Sequence, residues 1–164
     1  MLIQLKKGRD GPSTLACVRA DGTRTWGKVH PFFPIHDLTH CAVESVFAFK
    51  QAFFGLVASG WDIDDFLQPG AAARQPVEAL WAESIVGLLD LERASGQAMA
   101  AAEFDEQLSA ALGRLGVPPF RAVSEVELGR VRALREELRA RWQELPPGDT
   151  MEVRFPALLE AVKD

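Results

Sequence analysis

The sequence predicts an α+β fold in which a small antiparallel sheet packs against about four helices. Two observations lead to this prediction. Segments in which apolar and polar residues alternate, as in β-strands, lie at the start and near the end of the chain. The stretch between them has the apolar spacing of helices. The 164 residues, 48% of them hydrophobic, suffice for one domain with its own core. We therefore expect a single domain over 1–164, with a sheet in 1–30, helices in 35–145 and a returning strand in 150–155.

Three strands are predicted in the N-terminal segment. Residues 2–7 alternate weakly, residues 14–19 are rich in β-forming side chains, and residues 23–29 follow the dipeptide Asp21-Gly22, which is typical of hairpin turns. Strands joined by such short turns pair as an antiparallel meander. Residues 150–155 alternate in the same way, and we expect them to join an edge of this sheet.

Four helices are predicted from the apolar spacing and from the residues that begin and end each segment. Ser59-Gly60 ends the first, and Ser124 and Glu127 have the spacing of a capping box at the start of the fourth. The expected ranges are 35–58, 76–94, 98–115 and 124–145.

The second helix is expected to bury one apolar face. Glu78 lies at the edge of this face and is the acid of this helix expected to reach an interior site, whereas Glu83 is expected to point to solvent. The predicted face consists of Val77, Leu80, Trp81, Ile85 and Leu88.

Two of the three histidines lie one helical turn apart in the segment Pro34-Ile35-His36-Asp37-Leu38-Thr39-His40-Cys41-Ala42-Val43-Glu44, and the third, His30, is just upstream. On a helix, His36 and His40 share one face, so both imidazoles can bind one metal ion, as in the H-E-x-x-H arrangement. Glu44 lies one turn further on and is a candidate third ligand or base. The segment therefore predicts a divalent-metal site.

The predicted chemistry is that of a metal-dependent hydrolase. His36, His40 and Glu44 are the candidate metal ligands, zinc is the first candidate ion, and iron or manganese also accept mixed nitrogen and oxygen ligands. Asp37 and Glu44 are the candidate catalytic residues, because either carboxylate could accept a proton from a metal-bound water. Asp37 could instead orient an imidazole. Further oxygen ligands could come from Glu78 or from Asp62, Asp64 and Asp65, although a capped turn is the favoured interpretation of these three aspartates.

The same residues also admit a structural interpretation. Aspartate is a favoured N-cap residue, and a helix that began after Asp37 would leave His36 outside it. The histidines would then be ordinary packed side chains. The alternative function is a non-enzymatic interaction module or homo-oligomeric scaffold that binds no metal.

The segment His36-Asp37-Leu38-Thr39-His40 resembles the H-D-x-x-H motif of the ubiquinone-biosynthesis zinc-motif family. The resemblance covers five residues and implies that His36, Asp37 and His40 contact a metal on a largely helical protein. The distal glutamate of that family would fall at Ala52, which has no ligand atom. The quinone-related role is therefore not transferred to this chain.

Composition and charge narrow the class of protein. The net charge of −5 disfavours a general nucleic-acid-binding protein. The outer face of the fourth predicted helix carries five arginines: Arg130, Arg132, Arg135, Arg139 and Arg141. They could form a phosphate-contacting patch, but the favoured interpretation is a solvated face on which they pair with glutamates. The chain has two cysteines, and their spacing does not indicate a disulfide framework, which is typical of proteins in the reducing cytosol. We expect a cytoplasmic, alanine-rich bacterial protein with a small-molecule substrate, no nucleic-acid or membrane partner, and homo-oligomerisation as an open alternative.

Overall fold

The computed structural model describes residues 1–29 and 33–156. His30 lies outside the described residues, as does the segment from 157 onward, which the sequence predicts as a short helical or frayed tail. The described chain has an α+β architecture, as the sequence predicts, with one antiparallel sheet and a layer of helices on one of its faces.

The sheet contains the four predicted strands. They are β1 (Leu2–Lys6), β2 (Ser13–Val18), β3 (Arg24–Val29) and β4 (Thr150–Arg154), in the spatial order β3-β2-β1-β4. The β2–β3 turn needs Gly22, which has a φ of 86° that a side chain would disfavour. The strand predicted over 150–155 is present and joins an edge of the sheet as expected, and that edge is β1.

Six α-helices and one 3₁₀ helix are present in the described part of the chain. They are α1 (Phe33–Val46), α2 (Phe53–Ala58), the 3₁₀ helix (Ile63–Leu67), α3 (Ala71–Arg74), α4 (Val77–Ser95), α5 (Ala101–Arg114) and α6 (Glu125–Glu144). The predicted capping box at α6 is confirmed, because the Ser124 hydroxyl accepts the N–H of Glu127 while the Glu127 carboxylate accepts the N–H of Ser124. No helix in 1–29 or 33–156 combines the length and apolarity needed to cross a bilayer.

The continuous first helix predicted over 35–58 is wrong, since the chain leaves the helix after Val46 and re-enters it at Phe53. Ala48 adopts a left-handed conformation with a φ of 55° in the break. Two carboxylates stabilise the interruption. Glu44 accepts the N–H groups of Phe54 and Gly55 at the start of α2, and Glu78 accepts those of Lys50 and Gln51.

Helix α1 is central, as it packs against both α4 and α6 and contributes to the same core as the inner face of the sheet. Its residues Leu38, Cys41, Ala42 and Val43 are buried. Both cysteines of the chain, Cys17 and Cys41, are buried and free.

The buried face predicted for α4 is wrong in its rotation about the helix axis. Ile85 is buried as expected, but Val77 is exposed and Leu80, Trp81 and Leu88 are only partly buried. Two small residues, Ala79 and Ala82, are buried on this helix instead, and α4 packs against α1 and α5. The remaining buried positions of this face are Ile85, Val86, Leu89 and Glu92.

Candidate metal centre

His36 and His40 both lie within α1, because this helix begins at Phe33 rather than after Asp37. Their ring centroids are 4.9 Å apart and the rings are inclined at 70°. His40 is buried, with 3% of its surface exposed, and His36 is partly buried. The helical geometry that two neighbouring histidine ligands require is therefore present.

Glu83 of α4 completes a cluster that the sequence did not predict. One ligand atom from each of His36, His40 and Glu83 lies within 4.8 Å of the other two, a spacing that one metal ion could occupy. Oε1 of Glu83 is 3.3 Å from Nε2 of His40. The prediction that Glu83 points away into solvent is thus wrong: its side chain is about half exposed, but its carboxylate faces α1.

A carboxylate lies beside Nδ1 of each imidazole. Nδ1 of His36 is 3.1 Å from Oδ2 of Asp90, and Nδ1 of His40 is 3.4 Å from Oε1 of Glu44. The second contact lacks hydrogen-bond geometry, and Nδ1 of His40 makes no hydrogen bond to any described residue. Carboxylates in this position orient the histidines of many metal sites and assign their Nε2 atoms to the ion.

The electrostatics of His40 and Glu83 are coupled. Burial alone would lower the pKa of His40, but the contacts with Glu44 and Glu83 outweigh it and raise that pKa to about 10. Burial alone would raise the pKa of Glu83, but His40 and the charge of His36 outweigh it and lower that pKa. Without a metal ion, His40 is therefore a cation between two carboxylates at neutral pH, a position in which a metal ion would replace its proton.

Glu44, predicted as a metal ligand and catalytic residue, lies on the opposite side of His40 from Glu83. Its side chain is buried, and its two oxygens accept the N–H groups of Phe54 at 3.1 Å and Gly55 at 3.0 Å. Glu44 is therefore near the cluster but is not one of the three residues whose ligand atoms converge.

Asp37 is buried and lines the same cavity as both histidines and Glu83. Burial raises the pKa of its carboxyl group to about 6, although His40 and His36 oppose the shift. A carboxyl group with a pKa near neutrality can both accept and release a proton under ordinary conditions.

The other predicted oxygen donors have structural contacts instead. Asp62 and Asp65 form the capped turn that was the favoured interpretation, since Oδ2 of Asp65 accepts the N–H of Asp62 at 2.8 Å. Oδ1 of Asp62 also accepts a hydrogen bond from Arg19. The Glu78 carboxylate accepts backbone N–H groups between α1 and α2. Neither Glu78 nor Asp64 belongs to the cluster of convergent ligand atoms among the described residues.

The cluster lies in a cavity of about 430 Å³, a volume that suits a small molecule. The polar groups of His36, Asp37, His40 and Glu83 share its lining with Gln75 of the α3–α4 connection and the β3 residues Gly27 and Lys28. The remaining lining is apolar and consists of Leu15, Val29, Phe53, Ile63, Phe66 and Leu67.

A cysteine nucleophile does not fit the described structure. Burial raises the pKa of both Cys17 and Cys41 to about 12, so neither supplies a thiolate near neutral pH.

Sequence reasoning missed Glu83 and Asp90, because the sequence indicates that they share one side of α4 but not that this side faces α1. These two acids are seven residues apart on α4, which places them two turns apart on one side of that helix.

No family model, no curated protein and no solved structure matches the chain. The resemblance of residues 36–40 to the ubiquinone-biosynthesis zinc-motif family therefore stays a prediction that rests on five residues.

Proposed function

We propose that this protein binds one divalent metal ion through His36, His40 and Glu83 and hydrolyses a small molecule held in the adjoining cavity. The observation that supports the metal site is the convergence of three ligand atoms within 4.8 Å at the polar part of an otherwise largely apolar cavity. The hydrogen bond between Asp90 and Nδ1 of His36 adds the outer carboxylate that metal-binding histidines usually have, and Glu44 lies 3.4 Å from Nδ1 of His40.

The ligand set favours a catalytic rather than a structural ion. Two imidazole nitrogens and one carboxylate oxygen leave a coordination position for water or substrate, which is the pattern of catalytic zinc sites. Zinc is our first candidate, and iron and manganese are the alternatives that this ligand set also accepts.

The residues of the cavity have separate roles in this proposal. A bound divalent ion lowers the pKa of a water molecule and so supplies a nucleophile at neutral pH. Asp37 accepts the proton that this water releases, a role that its pKa of about 6 suits. The apolar side chains of the cavity hold the substrate and exclude other water.

The metal site is tested by measuring bound metal after purification without a metal-affinity tag, followed by zinc titration of chelator-treated protein. We expect about one ion per chain in the wild type and its loss in His36→Ala and Glu83→Gln. Asp90→Asn should weaken zinc binding by roughly 10- to 100-fold, because this carboxylate only orients His36. Glu103→Gln, which changes an exposed glutamate on α5, is the matched control and should bind normally.

The hydrolase is tested separately with ester, amide and phosphate-ester substrates. Asp37→Asn should retain the metal and lose metal-dependent turnover. If the wild type and the folded variants all lack metal and activity, the interaction module becomes the better interpretation. If metal is bound but Asp37→Asn is fully active, the metal site stands and the role of Asp37 is wrong.

A further inference from the structure

A second cavity of about 500 Å³ lies beside the C-terminal part of α4 and one side of α6. It shares no lining residue with the metal centre, and four arginines contribute to its wall: Arg93, Arg132, Arg135 and Arg139. The favoured sequence-based interpretation, a solvated face paired with glutamates, holds where Arg139 pairs with Glu136 and Arg141 with Glu137. It is wrong for Arg132 and Arg135, which are partly buried against α4. We call this cavity the arginine groove.

The charges of the arginine groove do not balance. Its lining contains four arginines and two carboxylates, Glu92 and Glu136, and Asp90 contacts Arg93 from outside the lining, which leaves one net positive charge. Placing several cations in a partly desolvated cavity costs free energy unless anions compensate them.

Three of the four arginines already have acidic partners. Arg132 forms a two-point contact with the buried Glu92, with Nε–Oε2 and Nη2–Oε1 distances of 3.1 and 2.5 Å. Arg139 pairs with the exposed Glu136, and Nε of Arg93 is 3.4 Å from Oδ1 of Asp90. Because the Arg132–Glu92 pair is also tied to the backbone of Met99, Glu92 is fixed and cannot turn toward another arginine.

Arg135 differs from the other three. Its Nη1 donates to the carbonyl oxygen of Leu89 at 2.6 Å, and within 1–29 and 33–156 it forms no ion pair with a carboxylate. Burial lowers its pKa, although Glu92 and Asp90 oppose the shift, and an arginine remains charged at neutral pH in spite of it. A guanidinium has five N–H donors, so Arg135 can still donate to a ligand.

We propose that the arginine groove binds the phosphate group of a small phosphate monoester, with Arg135 as the central donor and Arg93 and Arg139 beside it. A phosphate monoester carries about −1.5 to −2 charges at neutral pH, so it can pair with Arg135, which has no carboxylate partner within 1–29 and 33–156, and share the guanidinium groups of Arg93 and Arg139 with their acids. The planar guanidinium suits phosphate oxygens through paired hydrogen bonds. The volume leaves room for an organic group, so the ligand is a small molecule rather than phosphate alone.

The test uses chelator-treated protein, so that no metal ion contributes to phosphate binding. Inorganic phosphate and glycerol 3-phosphate are titrated calorimetrically at a fixed ionic strength maintained with sodium chloride. We expect saturable binding of both, tighter for glycerol 3-phosphate, and a loss of affinity of about tenfold or more in Arg135→Gln, since a charge-assisted hydrogen bond is removed. Arg130→Gln, an exposed arginine on the same helix, is the matched control and should bind as the wild type does.

Further variants and controls distinguish a loss of phosphate binding from a loss of folding and from effects of the metal centre. Arg139→Gln should also weaken binding, and circular dichroism melts of both variants establish that they fold. Glu83→Gln should bind phosphate normally, because Glu83 belongs to the metal centre and not to the groove. Binding that is absent in the wild type, or that persists unchanged in folded Arg135→Gln, would overturn the proposal. A preference for poly-glutamate over glycerol 3-phosphate would likewise overturn it in favour of an acidic peptide.

Discussion

The two glutamates that contact His40 have opposite surroundings, and this difference separates their roles. Glu44 has 1% of its surface exposed and accepts two backbone N–H groups, whereas the side chain of Glu83 is about half exposed and faces the cavity. Each oxygen of Glu44 already accepts a backbone N–H, and Glu44 does not line the cavity that contains the cluster, so it is a poorer candidate ligand than Glu83. Glu44 therefore holds α1 and α2 together and contributes its charge beside His40. Glu83 can exchange its contact with protonated His40 for a bond to a metal ion.

Glu44→Gln tests this separation. The amide places an N–H₂ group against a backbone donor, so we expect a loss of about 1–3 kcal/mol in the free energy of unfolding, measured by chemical denaturation. Glu83→Gln should abolish zinc binding and lower stability less than Glu44→Gln does, because the Glu83 side chain is about half exposed. If Glu44→Gln lost the metal as completely as Glu83→Gln while keeping its stability, Glu44 would be the ligand and the separation of roles would be wrong.

At the scale of single residues, the sequence predicted the two histidines of the cluster but not the carboxylates that contact them. His36 and His40 could be predicted because four-residue spacing on one helix brings them together whatever the rest of the chain does. Glu83 could not, because its position depends on how α4 is rotated against α1. The buried side of α4 includes Ala79 and Ala82, whereas the larger apolar residues of α4 indicated a different face.

Among the elements, the strands and the three long helices after residue 76 closely match their predictions, since each has local start and stop residues such as Ser124 or Gly96. The first helix was predicted as continuous because every residue over 35–58 is compatible with helix locally. Its interruption depends on Glu44 and on Glu78, which come from different elements and reach the same short connection. Local patterns contain no information about such contacts.

Gly55 shows how closely the interrupted segment is packed. A methyl group added there would lie 2.8 Å from Cα of Lys50 and closer still to its carbonyl group. We expect Gly55→Ala to cost about 1–3 kcal/mol in thermal or chemical unfolding, because the backbone of the connection must move. Gly87→Ala on α4 is the matched control, since no atom lies within 4 Å of the added methyl group. That variant should stabilise the protein by up to about 1 kcal/mol, and equal effects of the two changes would contradict the packing described here.

For the whole molecule, the two ends of the described chain meet in the sheet. Strand β4 pairs with β1, so Ile3 lies opposite Val153 and Leu5 opposite Met151. The alternation of 150–155 predicted this strand, but it did not indicate which edge of the meander it joins. The edge at β1 is the one occupied, while the 3₁₀ helix contacts β3 at the other end of the sheet, where the side chain of Ile63 lies close to Gly27.

This closure makes β4 part of the core rather than an appendage, and Met151 tests it. Met151 has 4% of its surface exposed and belongs to the same hydrophobic cluster as Leu5 and the helices. Met151→Ala should therefore lower the free energy of unfolding by roughly 2–5 kcal/mol, as measured by chemical denaturation. Glu152→Gln, the exposed neighbour whose carboxylate accepts a hydrogen bond from Gln4, should change it by about 0.5 kcal/mol or less. Because both ends of the sheet belong to one core, unfolding of Met151→Ala should remain a single transition. A separate early transition of the sheet, with the helices unaffected, would show that β4 is not part of the core that positions α1 and its histidines.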